Sequence, residues 1–541
     1  MKCIEEGCSN KVFNTFNKCA LHCEKQSYQD DRRSGLLQEF YNLLREYIAD
    51  YLSDPLFSHH QGIISLIRDF ENRNEKNNSF SYRVLGSIEI VVDRIALPER
   101  KAIDDFDYFK LLAAFKGVHF RRCDIYTDNM DLKGCKIYFD ECVFKNWFGI
   151  SEYELLESAG NAIFDGCHFY ESLTGSAGEE KSRDISVKLF ENCMFDKGIE
   201  LSNLNFKDSV FNNSDGFVSV IERILLKKCQ FDEDFKINNL FSNEFKAYKC
   251  IFKKKFEVKE SCISNLELND SNIDKIFDVF GSWFRKTKFQ KMIFNDFVGF
   301  EKVQFGIKGN CEREYIAEFI YTTFMSFSNF REAKFHSGLD FERANLKETP
   351  NFLRAEVSQS NTNRETFRII KHSFDSVGNQ IEANKFFVKE MKAYKKELDN
   401  TKPKNNCLIK QLKKSKNLKE FKKIIEFNES KRARLVFNIN YCISEFGENY
   451  FKPIRLLVYS LLIYTLFNYA HNWYFEKFEY LIHPWFDCVS VFLNDLANNF
   501  LPFRGFLKDK SGMEFISLIF YIWFAILVWQ IIVAIKRHTQ R

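Results

Sequence analysis

The chain has 541 residues, 28% of them charged, yet its net charge is only +4. That length points to three or four structural units rather than one globule, and the balance of charge gives no general argument for a nucleic-acid partner. Sixteen cysteines would suggest a disulfide framework in a short secreted chain, but Met1–Asn10 is polar and already holds two of them. No signal peptide is read there, so the thiols are expected to be reduced and the soluble part cytosolic. The oddity is 61 Phe against 7 Pro and 7 Met, more than ordinary core packing requires.

Residues 1–25 carry Cys3-x4-Cys8-x10-Cys19-x2-His22, with Cys23 adjacent. Two close pairs of such ligands are what a tetrahedral zinc site needs. A segment with almost no apolar core has little else to fold it, and bound zinc supplies that free energy. The expectation is a structural zinc finger that binds a partner, with the fourth ligand open between His22 and Cys23. Lys2, Lys11 and Lys18 are too few to argue for nucleic acid.

Residues 26–110 are expected to be a helical domain, from the periodicity of LLQEFYNLLREYIADYL and GIISLIRDF. His59 and His60 lack a ligand partner at helical spacing and are read as surface residues.

From 111 to 360 the chain keeps a five-residue beat: Phe115, Phe120, Ile125 and Met130, then Phe284, Phe289 and Phe294. A later tract runs Phe330, Phe335, Phe341, Leu346, Phe352 and Val357 in fives and sixes. Two residues before the bulky position there is usually a small one, as in Cys142 before Phe144, Cys167 before Phe169, Cys229 before Phe231 and Ala333 before Phe335. A period of five fits neither helix nor strand and is natural to a stacked β-coil.

In these residues the chain resembles the pentapeptide-repeat family. The resemblance implies a right-handed quadrilateral β-helix, four five-residue units to a turn, with Phe or Leu central and Cys, Ala or Ser beside it. On that reading Cys123, Cys135, Cys142, Cys167, Cys193, Cys229 and Cys250 are small buried hydrophobes rather than metal or redox groups. Some members of the family mimic duplex DNA, which needs an acidic surface; Lys254, Lys255, Arg285, Lys286 and Lys288 speak against that here.

Residues 361–400 have helical periodicity with a break near Gly378 and are expected to cap the coil. Residues 401–453 are a basic juxtamembrane region, whose Lys413, Lys414, Lys416, Lys419, Lys422, Lys423, Arg432 and Arg434 are expected against anionic lipid headgroups.

Residues 454–541 contain two uncharged runs, Leu456–Phe475 and Phe515–Ile535, each long enough for a hydrocarbon core of roughly 30 Å. Basic flanks before the first and after the second predict that both ends face the cytoplasm. Between them Trp485–Phe503 is amphipathic and too short to cross, an interfacial or re-entrant piece. Asn494, Asp495, Asn498, Asn499 and Gln530 are the candidate pore or re-entrant polar residues.

The order of coil, helices, basic stretch and hairpin is similar to membrane-anchored bacterial pentapeptide-repeat proteins, some with ion-channel-like ends. That likeness implies a multi-pass protein of the bacterial inner membrane. The expected function is a non-enzymatic scaffold or sensor, held in the bilayer and binding a cytosolic protein. The alternative is a homo-oligomeric, ion-channel-like effector gated by the coil, in bacterial stress or phage defence. Nucleotide-loop, P-loop, GxSxG and HExxH motifs are absent from the sequence.

Overall fold

The computed structural model describes residues 1–53, 85–310, 312–400, 432–475, 492 and 514–539, apart from 102–103, 105–106, 129, 131, 133–134, 151–161, 179–181 and 433. The chain divides into two compact units, Met1–Asn361 and Thr362–Arg541.

The first unit is a parallel β-solenoid of about 10 turns. Its strands are mostly two residues long, because each side of a narrow coil offers room for one inward side chain before the chain must turn. Strand pairing makes four ladders. The longest sheet wraps two adjacent sides, a second follows 183–185 through 345–346, and two five-stranded ladders take the remaining side in succession, 89–93 to 190–191 and then 235–236 to 328–329. The coil therefore begins at Glu89, inside the stretch expected to be helical and ahead of Phe115.

Inward positions stack on themselves turn after turn. Phe231 lies 4.7 Å from Phe252, Phe235 is 5.2 Å from Phe256, and Phe256 is 5.2 Å from Phe277, all nearly parallel. Rings on adjoining sides meet edge-on, as Phe252 and Phe256 do at 4.9 Å. Both geometries are favoured by the ring quadrupole.

A turn of the regular region spans 21 residues rather than the four fives of the sequence reading, as the 21-residue offset between bonded neighbours shows. Two corners recur in the left-handed region of φ. Lys228, Lys249, Asp270 and Lys291 form one column; Asn239, Glu260, Gly281 and Lys302 form the other. The residue after each such corner is buried, and in most turns it is small: Cys229, Cys250, Ser261, Ser271 and Ser282, against Leu240, Met292 and Val303. Cys142 and Cys193 donate their Sγ–H to carbonyls one turn back at 3.3 Å, and Ser282 and Thr322 do the same with hydroxyls at 2.9 and 3.1 Å. Burial pushes the thiols of Cys123, Cys167 and Cys250 well above the usual range, which keeps them protonated and inert.

At the N-terminal end, helices α1 (Tyr28–Arg33) and α2 (Leu36–Leu52) pack over the first turn; α3 (Tyr108–Ala113) lies between the first and second strands of the 89–93 ladder. The Tyr47 hydroxyl of α2 donates to the Val91 carbonyl at 3.1 Å and accepts from the Asp93 N–H at 3.3 Å. It thereby covers the edge that the first strand would expose.

In the second unit α4 (Arg364–Ser376) and α5 (Gln380–Asn400) fold back on each other at Gly378, φ +75, and Phe374 stacks on Phe386 at 5.5 Å. Residues 434–444 are helical, and α6 (Phe451–Phe475) and α7 (Glu514–Thr539) follow. Acidic residues of α4 and α5 are engaged in local ion pairs, Asp375 with Lys371 at 2.7 Å and Glu382 with Lys385 at 2.6 Å.

Phe256→Ala removes a ring stacked on both sides, and should lower the unfolding free energy of the coil by about 3–5 kcal/mol, whereas Lys254→Ala on the exposed face should change it by less than about 0.5 kcal/mol. Urea titration followed by circular dichroism distinguishes the two.

Candidate metal centre and the helical hairpin

The first 23 residues fold around a short hairpin and one helical turn. Lys2 bridges Lys11 antiparallel, and the Cys3 N–H donates to Asn10 O at 2.9 Å. Gly7, at φ +80, allows the tight turn that brings Cys8 back. His22 and Cys23 donate their N–H groups to Cys19 O at 3.0 and 2.9 Å, which makes the helical turn.

Cys3, Cys8, Cys19 and His22 are thereby drawn together, with all four ligand atoms within 4.8 Å of one another, a group that could hold a metal ion. Cys8 Sγ is 3.8 Å from Cys19 Sγ; His22 Nδ1 is 3.2 Å from Cys19 Sγ and 3.6 Å from Cys3 Sγ. The Cys19 N–H points at Cys3 Sγ, 3.3 Å away. Burial lowers the His22 pKa and so favours the neutral imidazole that ligates metals, while burial raises the Cys8 thiol to about 12.

Cys23, the alternative ligand, is not in that group. Its Sγ lies in the interior near the Ala20 carbonyl and 3.8 Å from Lys25 Nζ. Lys25 is itself buried, donating to Ala20 O at 2.8 Å and Cys23 O at 2.9 Å over the Phe40 ring. Sequence reasoning passed over Lys25, since nothing in its spacing marks it as a helix C-cap. The lobe also closes on the coil: Leu21 O accepts the Ala96 N–H at 2.8 Å, and 96–97 is the first strand of the longest sheet.

The coil carries one further concavity among the described residues with a clear cause. Between Phe211 and Phe235 the ladder of one side is interrupted, and 235–236 starts a new ladder as an edge strand. There a polar cleft of about 650 Å³ opens, lined by Asn212, Asn213, Asp215, Lys236, Asn238 and Glu257 among others. Burial alone would raise the Glu257 pKa, but Asn238, Lys255 and Lys259 outweigh it and hold the carboxyl at about 2.

In the second unit α6 and α7 are long and apolar enough to cross a membrane. They pack as a pair on Leu457, Leu461, Tyr464, Phe524 and Leu527. Polar groups between them are matched, Tyr464 OH with Ser517 Oγ and Trp523 Nε1 with Ser460 Oγ, both at 2.9 Å. Of the candidate pore residues, Gln530 accepts from Ser444 Oγ at 2.9 Å and so ties α7 to the elbow before α6. Asn494, Asp495, Asn498 and Asn499 fall outside the described residues, as do Lys413, Lys414, Lys416, Lys419, Lys422 and Lys423.

Arg432 is exposed, whereas Arg434 donates to the Leu398 carbonyl at 2.8 Å at the end of α5. The elbow itself, Glu445, Phe446 and Gly447, has three successive positive φ values. Arg537 of α7 donates to Phe446 O and lies 4.4 Å over the Phe387 ring of α5; Asn384 of α5 donates to Arg537 O at 3.0 Å. This clasp was not legible in the sequence, where Arg537 counted only as a flanking charge.

No protein-family model, curated protein or solved structure matches the chain.

Gly447→Ala and Gly378→Ala impose the same left-handed strain of about 1–2 kcal/mol, but only at Gly447 does the added Cβ meet Arg537 Nη1, at 2.8 Å; at Gly378 nothing lies within 4 Å. Thermal denaturation in detergent should therefore show a clearly larger loss for Gly447→Ala, and equal losses would refute the clasp. For Glu257, whose folded pKa is depressed, the stabilisation is complete above the unfolded value of about 4.3 and fades as pH falls toward 2. The stability gap between wild type and Glu257→Gln should be widest above about pH 5 and close toward pH 2.

Proposed function

We propose that this protein is a membrane-anchored, non-catalytic scaffold of the pentapeptide-repeat type, seated in the bacterial inner membrane with both termini in the cytoplasm and presenting its coil to a cytosolic protein. The observation that carries the reading is the pairing of two span-length apolar helices with a rigid coil in the same chain. Large apolar groups on those helices face outward, among them Trp529 at 64% and Leu466 at 60% exposure, which water would penalise and hydrocarbon would not.

Zinc is the metal this reading assigns to the N-terminal lobe. A tetrahedron with bonds of about 2.3 Å to sulfur and about 2.0 Å to nitrogen has edges of about 3.8 and 3.5 Å, close to the separations of 3.8, 3.6 and 3.2 Å among the ligand atoms. Bound there, zinc has a structural role: it holds the lobe that covers the first turn of the coil.

The pore reading draws support from one feature, the clasp joining α5, the elbow and α7, through which movement of a cytosolic helix would reach a span. The two readings separate in reconstituted liposomes. The scaffold predicts retention in the membrane fraction after carbonate washing and no ion flux; flux above that of empty liposomes would overturn it in favour of the pore. Purified protein should carry one zinc per chain by elemental analysis. Chelation, or Cys8→Ser, should lower the melting temperature of the coil, and an unchanged melting temperature would remove the metal from the reading.

A further inference from the structure

One column of the coil turns apolar side chains toward water. Val220 pairs with Phe241, Phe241 with Cys262 and Cys262 with Trp283, so the four stand in register over consecutive turns of one face. Val220 is 58% exposed, Phe241 49% and Trp283 40%. Surfaces of soluble monomers rarely line up large apolar groups in this way, and such a row marks a contact face.

The flank of this column identifies what covers it. Two residues further along each strand stand Glu222, Asn243, Ser264 and Arg285. Neighbouring charges on the coil are paired within the chain: Arg223 with Glu244 at 3.3 Å, Lys246 with Glu244 at 2.5 Å, and Lys286 with Glu314. Among the described residues Glu222 and Arg285 have no ion pair, and Arg285 has only the Tyr315 ring and hydroxyl. The two opposite charges lie three turns apart, about 14 Å, on the same turns as Val220 and Trp283, the ends of the apolar row.

We propose that this face receives a second copy of the chain, packed antiparallel about a two-fold axis that crosses the row between Phe241 and Cys262. That operation sets Val220 against the second copy's Trp283 and Phe241 against its Cys262. A two-fold across the row keeps each flank on its own side, so Glu222 meets the second copy's Arg285, and the pair occurs twice. An axis along the row would instead bring the charged flank against the opposite flank and leave both charges unmatched. Apolar burial supplies the attraction, and the two ion pairs fix direction and register.

Charge reversal tests the geometry in the full-length protein in detergent, with the mass read by light scattering. Wild type should be dimeric. Glu222→Arg alone, or Arg285→Glu alone, sets like charges face to face and should weaken self-association by about tenfold or more; the double variant should restore it. Both sites are exposed, and unchanged melting curves will show that the variants fold. As a second measurement, Val220→Cys together with Trp283→Cys, in a chain carrying Cys262→Ser, should form a disulfide-linked dimer under copper-phenanthroline and oxygen; the two positions are about 14 Å apart within one chain, too far to bridge there, and neither cysteine alone should cross-link. A wild type that stays monomeric overturns the proposal, as does a dimer indifferent to either single reversal, which would assign association to the helical hairpin, or a cross-link that one cysteine alone forms as readily.

Discussion

Each turn of the coil must climb by one strand spacing, about 4.8 Å, and a phenyl ring stacks on another at nearly the same distance. The inward stacks run from 4.4 to 5.6 Å along a side, so a single inward Phe satisfies the backbone ladder and the core at once. No other residue fills so much of a narrow interior with so little rotamer entropy lost. The excess of phenylalanine along the coil follows from this constraint. The small residues beside them, Cys229, Cys250, Ser271 and Ser282 among them, sit just behind the left-handed corners, where a thiol or hydroxyl can also bond a carbonyl of the coil.

A solenoid built on that constraint has no intrinsic end. Its first strands expose N–H and C=O groups that the next turn would have bonded. Tyr47 from α2 and Leu21 from the cysteine lobe meet three of these groups between them, on Val91, Asp93 and Ala96. The lobe has little apolar core of its own, so its ability to cover the edge depends on what holds Cys3, Cys8, Cys19 and His22 together. The Cys/His group and the coil are in this sense one structure: the four side chains converge in the lobe, and the lobe ends the ladder.

The five-residue beat was legible because each side of the coil buries one bulky residue, and that periodicity survives any change in the outward residues. The 21-residue turn was not legible. The left-handed corners that repeat every 21 residues are filled by Lys and Glu more often than by the Asn, Asp and Gly that favour a positive φ, so no run of turn residues marked the period. The start of the coil at Glu89 was missed because IEIVV reads as a buried run of either period. The four ligands could be read from spacing, but the choice of His22 over Cys23 required the helical turn that points Cys23 inward toward Lys25. For Gln530 the sequence offered only its polarity within an apolar run; its bond to the Ser444 hydroxyl on the adjoining elbow needed the fold.

The same bookkeeping of polar groups explains the hairpin. Two helices side by side bury one stripe each, here Leu457, Leu461 and Tyr464 against Phe524 and Leu527, and leave the rest to the surroundings. Between them the hydroxyl and indole groups are satisfied pairwise, as burial between two packed helices demands. At one end the elbow at 445–447 turns its carbonyls out of any helix and needs donors. Arg537 and His538 supply them, to Phe446 O and Glu448 O. The basic residues that close α7 therefore satisfy the backbone of a turn about ninety residues earlier.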